Sequence, residues 1–340
     1  MRVLLTGHTG YLGSILAADL VADGHDVTGL DTGFFADRVL GPAPEGLREV
    51  RMDLRDVTER DCAGFDAVIH LAALSNDPLG ALEPDVTYAV NQHASERLAR
   101  SAKQAGVHRF LYASTCSVYG AGGDALVDET VELAPITAYA SSKVRVERVL
   151  TELADEGFVT TSLRNATAFG FSPRLRADIV LNNLVGWALL TGVVKVLSDG
   201  TPWRPLVHAR DISAAFRAVL GADPSRVGGE AFNVGTERNN LTVAQIAQVV
   251  ADAVPGSRVE ITGEHGNDPR SYRVDFGKLR QAVPEFTPEW DVPRGAAELT
   301  DAYQRLGLTQ QAFEGDFVRL SVLRELIEQG RLEPATLRWR

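Results

Sequence analysis

The sequence predicts an α/β protein: a doubly wound parallel sheet built by the first half of the chain, with a smaller mixed α/β lobe on its C-terminal side. Three observations predict it. Strand-length apolar runs alternate with helical stretches through the first 170 residues. The runs are continuous in Val, Leu and Ile instead of alternating with polar residues, as in strands covered on both faces. The first run also ends in a glycine-rich turn that opens a helix. Strand and helix repeated in this rhythm give a parallel sheet.

Taken in order, strands are expected at 2–7 (RVLLTG), 26–31 (DVTGLD), 47–53 (LREVRMD), 67–73 (AVIHLAA) and 109–114 (RFLYAS). Segments 85–106 and 139–157 have helical apolar spacing and end in Gly, a common helix stop. Beyond about residue 170 the rhythm loosens into helical pieces (178–191, 210–221, 242–253) and short strands (193–197, 230–234, 258–262), with Pro and Gly punctuation around 200–205 and 263–270. Residues 1–170 are assigned to a nucleotide-binding domain carrying the catalytic residues, and 171–340 mainly to a substrate-binding lobe. Near the end, Leu320, Leu323 and Ile327 fall at near-helical spacing within 317–339, which predicts a helix docked on the core, with a subunit contact as the sharper alternative.

Composition excludes several classes. The 340 residues are 45% hydrophobic and 23% charged, a globular balance. No apolar run approaches the roughly 18 residues of a membrane helix, and MRVLLTG breaks into Gly too soon for a signal peptide. Cys62 and Cys116 make neither a disulfide framework nor a zinc site, so a reduced, cytoplasmic protein without a metal is expected. A net charge of −11 with no basic run argues against nucleic acid.

The first strand leads directly into Gly7, Gly10 and Gly13, spaced G-x-x-G-x-x-G and opening a helix. Glycines at this spacing let the turn tighten and let backbone amides approach a pyrophosphate seated on the helix N-terminus, the arrangement of a Rossmann-type dinucleotide site. A second strand ends at Asp31, about 20 residues on, where an acid accepts ribose hydroxyls. Asp31 also repels a 2′-phosphate, which favours NAD over NADP. Asp53, closing the third strand, is a candidate for the adenine edge.

Tyr139 and Lys143 stand four apart on an expected helix and share one face. A tyrosine at its ordinary pKa of about 10 is a poor base near neutrality. A nearby ammonium, with a positively charged nicotinamide ring, stabilises the phenolate and lowers that pKa. The tyrosine then takes a proton from a sugar hydroxyl while hydride leaves the same carbon. Thr115, at the end of the fifth strand, would hydrogen-bond the same oxygen.

These pieces together resemble the extended short-chain dehydrogenase/reductases, in the branch of nucleotide-sugar epimerases and dehydratases that includes the UDP-glucose 4-epimerases. The matching stretches run along nearly the whole chain: TGHTGYLG (6–13), HLAALSNDP (70–78), VNQHAS (90–95), ASTCSVYG (113–120), YASSK (139–143), LRNATAFG (163–170), WRPLVHARDIS (203–213), FNVG (232–235) and DPRSYRVDFGKL (268–279). The resemblance implies a catalytic trio of Thr115, Tyr139 and Lys143. It implies an NAD site formed by Gly7, Gly10, Tyr11, Leu12, Gly13, Asp31, Asp53, Leu54, Leu71, Ala72, Ala73, Tyr139 and Lys143. Nucleotide-sugar contacts are implied at Ser75, Asn165, Asn183, Arg204 and Arg270. It further implies a chain that crosses back to the sheet around 205–240, and a homodimer through the helices near 91–105 and 139–157. The two arginines also suit a diphosphate on physical grounds, because a guanidinium donates bidentately. Trp203 and Tyr272 are candidates to flank the base, Asn182 and Asn183 are otherwise polar surface, and His70 and His208 are expected to be structural.

Two residues bear on the reaction. In the 4,6-dehydratases of this superfamily an Asp–Glu pair follows the catalytic Thr, supplying the acid and base that elimination needs. Here Cys116 and Ser117 take those places, and neither is a carboxylic acid. The expected reaction is therefore C4 epimerisation through a 4-keto sugar. The alternatives are an NAD(P)H-dependent 4-ketoreductase or dehydrogenase, a C3 or C5 epimerase using the Cys116 thiolate as base, and a non-catalytic NAD-binding regulator.

Overall fold

In the computed structural model, residues 1–42, 46–75, 84–121, 125–264 and 271–340 are described. Among them seven strands form the main sheet: β1 (Arg2–Thr6), β2 (Asp26–Asp31), β3 (Arg48–Arg51), β4 (Ala67–His70), β5 (Arg109–Thr115), β7 (Val159–Asn165) and β11 (Glu230–Val234). They lie side by side in the order β11-β7-β5-β4-β1-β2-β3. Every pairing in the sheet is parallel. Strand order reverses between β1 and β4, and a crevice opens at the carboxyl ends of the strands at such a switch point.

The continuous apolar runs have the expected cause. All four residues of β4 and all seven of β7 are buried, because helices cover both faces. On one face α1 (Tyr11–Ala22) packs Leu16, Ala17 and Leu20 against Val3, Leu5 and Val27. On the other, α2 (Ser95–Gln104) and α3 (Ala138–Leu153) close over Leu4, Val68, Phe110 and Tyr112 through Leu98, Ala102, Val146 and Leu150.

Two expectations about the helices are corrected. Residues 84–104 are not one regular helix, since the backbone widens to π-type turns at Tyr88–Ala94 before α2 begins. Within that widening Asn91 is buried, and its side chain accepts from Leu74 N (2.8 Å) and donates to Leu74 O (3.0 Å), which pins the loop after β4. The segment ends as expected near Gly106, at φ +78°. By contrast α3 stops at Ala154 in an extended conformation, before Gly157.

The second lobe holds β8 (Thr167–Phe169), β10 (Trp203–His208) and β12 (Asn240–Thr242) in one small sheet, and β9 (Val193–Val196) with β13 (Arg258–Ile261) in another. Around them pack α4 (Val180–Thr191), α6 (Val243–Ala253) and α7 (Val292–Arg305), with Phe169, Leu181, Val185, Leu206, Ile246, Leu299 and Tyr303 in the core. Between these elements α5 (Ala209–Gly221) packs on the sheet core and β11 joins the sheet edge beside β7. A strand of two residues, β6 (Leu126–Val127), pairs with β14 (Arg273–Val274), and Val127 and Val274 both lie in the sheet core.

The last helix, α8 (Arg319–Glu328), buries Val322, Leu323 and Leu326 against Leu74 and Val86. It docks on the protein, as its spacing predicts. The residues after it go further: Trp339 Nε1 donates to Thr32 O (2.7 Å), and Arg55 Nη1 donates to Thr336 O (2.7 Å). The tail thus closes over the carboxyl ends of β2 and β3.

Candidate active site

A cavity of about 680 Å³ runs along the carboxyl ends of the strands, between the sheet and the second lobe. Its floor is the glycine turn. Gly7 has φ +79°, and a Cβ there would stand 2.7 Å from Ala72 N. At Gly13 a Cβ would stand 2.0 Å from Gly7 O, so no side chain fits at either position. Gly10 precedes α1 and leaves its first amides uncapped by any side chain, a ready site for an anion. Asp31 is fixed beside it, accepting from Gly33 N (2.7 Å) and Thr9 N (3.2 Å). Asp53 also lines the cavity, held by Arg55 through Nε (2.9 Å) and Nη2 (2.6 Å). Burial would raise its pKa, but the Arg55 bonds prevail and hold the carboxyl below its usual range. Tyr11, Leu12, Leu54, Leu71, Ala72 and Ala73 line the same space.

Thr115, Tyr139 and Lys143 all face this cavity. Thr115 ends β5, and its Oγ1 accepts from Ser117 N (3.1 Å), which turns the chain sharply away from the strand. Thr137 caps α3 by accepting from Ala140 N (3.1 Å), setting Tyr139 and Lys143 in the first turns of the helix. Lys143 is 2% exposed. Its Nζ donates to Ala113 O (2.7 Å) and lies 5.6 Å from the centre of the Tyr139 ring. Burial pushes its pKa down to about 7, with Glu147 one turn along partly offsetting that. Glu147 is itself engaged by Arg164 and Ser114, so a buried charge network stands directly behind the lysine.

Cys116 does not suit the alternative that uses it as a base. Its thiol is 1% exposed, donates to Arg164 O (3.2 Å) and belongs to the sheet core, whereas its neighbours Thr115 and Ser117 line the cavity. Burial pushes the thiol far above its ordinary pKa, so it is no thiolate base. His70 is structural: it is buried between Thr6 Oγ1 (2.6 Å) and Ser95 Oγ (2.8 Å), and burial lowers its pKa to about 3. His208 pairs with Glu298 (2.8 Å) and stacks on Trp290, away from the cavity.

The candidate substrate residues divide. Ser75, Asn165, Asn183, Arg204 and Tyr272 line the cavity, and the buried Asn165 Oδ1 has no partner among the described residues. Arg270 lies outside the described residues. Trp203 does not line the cavity and sits under Arg273 instead (5.2 Å). Asn182, expected at the surface, is fully buried and binds both the N–H and the C=O of Gly170. Sequence reasoning missed Arg176, Asp178 and Arg319, which also line the cavity. Arg176 grips Asp178 through Nε (2.9 Å) and Nη2 (3.0 Å) and donates to Ser75 Oγ (3.1 Å). The one available signal was the run PRLRAD at 173–178, whose arginines alternate.

Comparison with known proteins gives the family. Residues 3–235 match the model of the NAD dependent epimerase/dehydratase family. A UDP-glucose 4-epimerase of Streptomyces lividans is 31% identical over 305 residues, covering 83% of this chain and 90% of that one. One of Corynebacterium glutamicum is 27% identical over 311 residues, covering 85% and 91%. Among solved structures, MoeE5 in complex with UDP-glucose and NAD superposes with a TM-score of 0.78 at 28% identity, covering 91% of this chain and 100% of that one. DesIV, a dTDP-glucose 4,6-dehydratase from Streptomyces venezuelae with NAD bound, gives 0.78 at 25% identity, covering 92% and 100%.

Proposed function

Since the chain belongs to the NAD-dependent epimerase/dehydratase family, is an enzyme and takes NAD as its cofactor, we propose that it inverts C4 of a nucleotide sugar through a transient 4-keto sugar. The glycine turn, Asp31 and the space beside Leu71–Ala73 fit the dinucleotide: amides face the cavity where a diphosphate would lie, and no side chain intrudes there. Bound NAD+ supplies the hydride acceptor. The Tyr139 phenolate oxygen takes the proton of the C4 hydroxyl, Thr115 Oγ1 holds that oxygen in line, and Lys143 stabilises the phenolate. Once the 4-keto sugar has turned in the site, Tyr139 would give the proton back to the same oxygen, and hydride supplied to the other face of C4 would complete the inversion. No cofactor is consumed.

The observation that carries the choice of reaction is the pair of positions after Thr115. Cys116 is turned into the core and Ser117 carries no acid, so elimination lacks its acid and base while Thr115, Tyr139 and Lys143 are complete. Asn165 Oδ1, buried and unpartnered, is suited to accept a sugar hydroxyl, and Arg204 a diphosphate. The names of the relatives make UDP-glucose the first substrate to try. We also read the protein as a cytoplasmic homodimer through α2 and α3; no helix among the described residues is long and apolar enough to cross a membrane.

The test is proton NMR of the protein as purified, without added cofactor, against a panel of nucleotide sugars. A product differing only at C4, formed to an equilibrium ratio, is the expected result. Untouched sugars, with a 4-keto sugar consumed one for one with NAD(P)H, would replace the epimerase with a ketoreductase.

A further inference from the structure

Arg319 opens α8 but its guanidinium does not serve that helix. The side chain is 3% exposed, its Nη2 donates to Arg174 O (2.9 Å), and its buried Nη1 has no partner among the described residues. The guanidinium carbon lies 4.3 Å from the centre of the Phe35 ring. It faces the same cavity as Gly10, Leu12 and Asp31. A buried cation is costly unless an anion answers it. Here the neighbouring charges are two more cations, Arg176 and Arg174, set against Asp178 and Asp31. Asp178 is already gripped at both oxygens by Arg176, and Asp31 by the amides of Thr9 and Gly33. Burial first, then Arg176, pulls the Arg319 pKa down to about 9, which marks a site short of negative charge.

We propose that Arg319 Nη1 donates to a diphosphate oxygen of the bound cofactor, so that the C-terminal helix supplies a ligand to the nucleotide site. The cofactor is favoured over the sugar nucleotide by position. Arg319 stacks on Phe35, and Arg174, which carries its acceptor, donates in turn to the carbonyls of Phe35 and Ala36. Those residues belong to the loop that follows Asp31, not to the lobe that carries Arg204 and Tyr272. The tail is tied to that loop by Trp339 to Thr32, and to the turn after β3 by Arg338 to Asp56 (2.7 Å). Docking of the tail and binding of the cofactor are therefore coupled. This inference rests on the cofactor placement proposed above, and is independent of the C4 reading.

The test is calorimetric titration of the full chain, freed of nucleotide, with NAD+, ADP, adenosine and UDP. Arg319→Met keeps the apolar stem against Phe35 and removes the charge. NAD+ and ADP affinities are expected to fall about 10- to 100-fold, the effect of losing one charge-assisted bond. Adenosine and UDP should be unchanged, and the nucleotide-free protein should melt no lower than its parent. Unchanged NAD+ affinity overturns the proposal, as does an equal loss for adenosine, or a loss confined to UDP. Should Arg319→Met not fold, Arg319→Lys is read the same way, with about a threefold loss for NAD+ and none for adenosine. If neither folds, the residue belongs to the fold and the proposal is wrong. Asp31→Ala is the control for placement, since it should weaken adenosine and NAD+ together. If it leaves adenosine alone, the placement has failed and not the role of Arg319.

Discussion

The two walls of the cavity are built on different principles. On the sheet wall Asp31 is held by two amides, Thr115 by Ser117 N and Lys143 by Ala113 O. The facing wall, drawn from the second lobe and the tail, carries an unpartnered Arg319 nitrogen and an excess of guanidinium charge. Groups held in place are preorganised for reaction, whereas a buried guanidinium with one unanswered donor is preorganised for an anionic ligand. The catalytic trio and the unanswered Arg319 donor thus lie on different walls.

Tyr139→Phe tests that separation most severely. It should lower turnover by about a thousandfold, the scale of general acid–base catalysis, while leaving NAD+ affinity and melting temperature as they were. A comparable fall in NAD+ affinity, measured by the same titration, would mean the walls are not separable.

Lys143→Met comes next. Burial holds the folded-state pKa at about 7, below the ~10.4 of an unfolded lysine. Between those values the unfolded chain binds more protons, so stability rises with pH across that window, and the cost of the buried charge is fully present below it. The nucleotide-free variant should therefore melt above its parent at pH 6, since each pH unit separating the folded and unfolded values is worth ~1.4 kcal/mol. The advantage should shrink toward pH 9, while turnover is lost at both. An offset that does not change with pH would remove the charge argument.

Cys116→Ala should produce the smallest effect. Loss of a small buried group costs stability on the order of 1 kcal/mol, and turnover should stay within about twofold. A large loss of turnover, with the fold intact by circular dichroism, would bring the thiol back into the chemistry and blur the line between core and wall at adjacent residues.

The sheet wall was legible in the sequence and the facing wall mostly was not, for a physical reason. Glycine spacing, an acid some 20 residues on and a Tyr–Lys pair one turn apart are local patterns, and local patterns survive being read along a line. Asn182 defeats such a reading because its burial follows from bonds to Gly170, which depend on how β8 packs beside α4. The orientation of Cys116 turns on a tight bend set by one Thr115 hydrogen bond. Arg319 reaches its neighbours Phe35 and Asp31 across nearly the whole chain, and nothing in its own segment signals the cavity. The interruption of the helix at 88–94 shows a similar limit, since a widened turn around Asn91 leaves the apolar spacing nearly intact.

The bond from Trp339 to Thr32 spans 307 positions. During synthesis the sheet can close, and present its glycine turn, long before that partner leaves the ribosome. Contacts of such separation are the slowest to form. The nascent protein thus has a period in which the chemical wall is finished and the site still stands open at the end where the tail will lie.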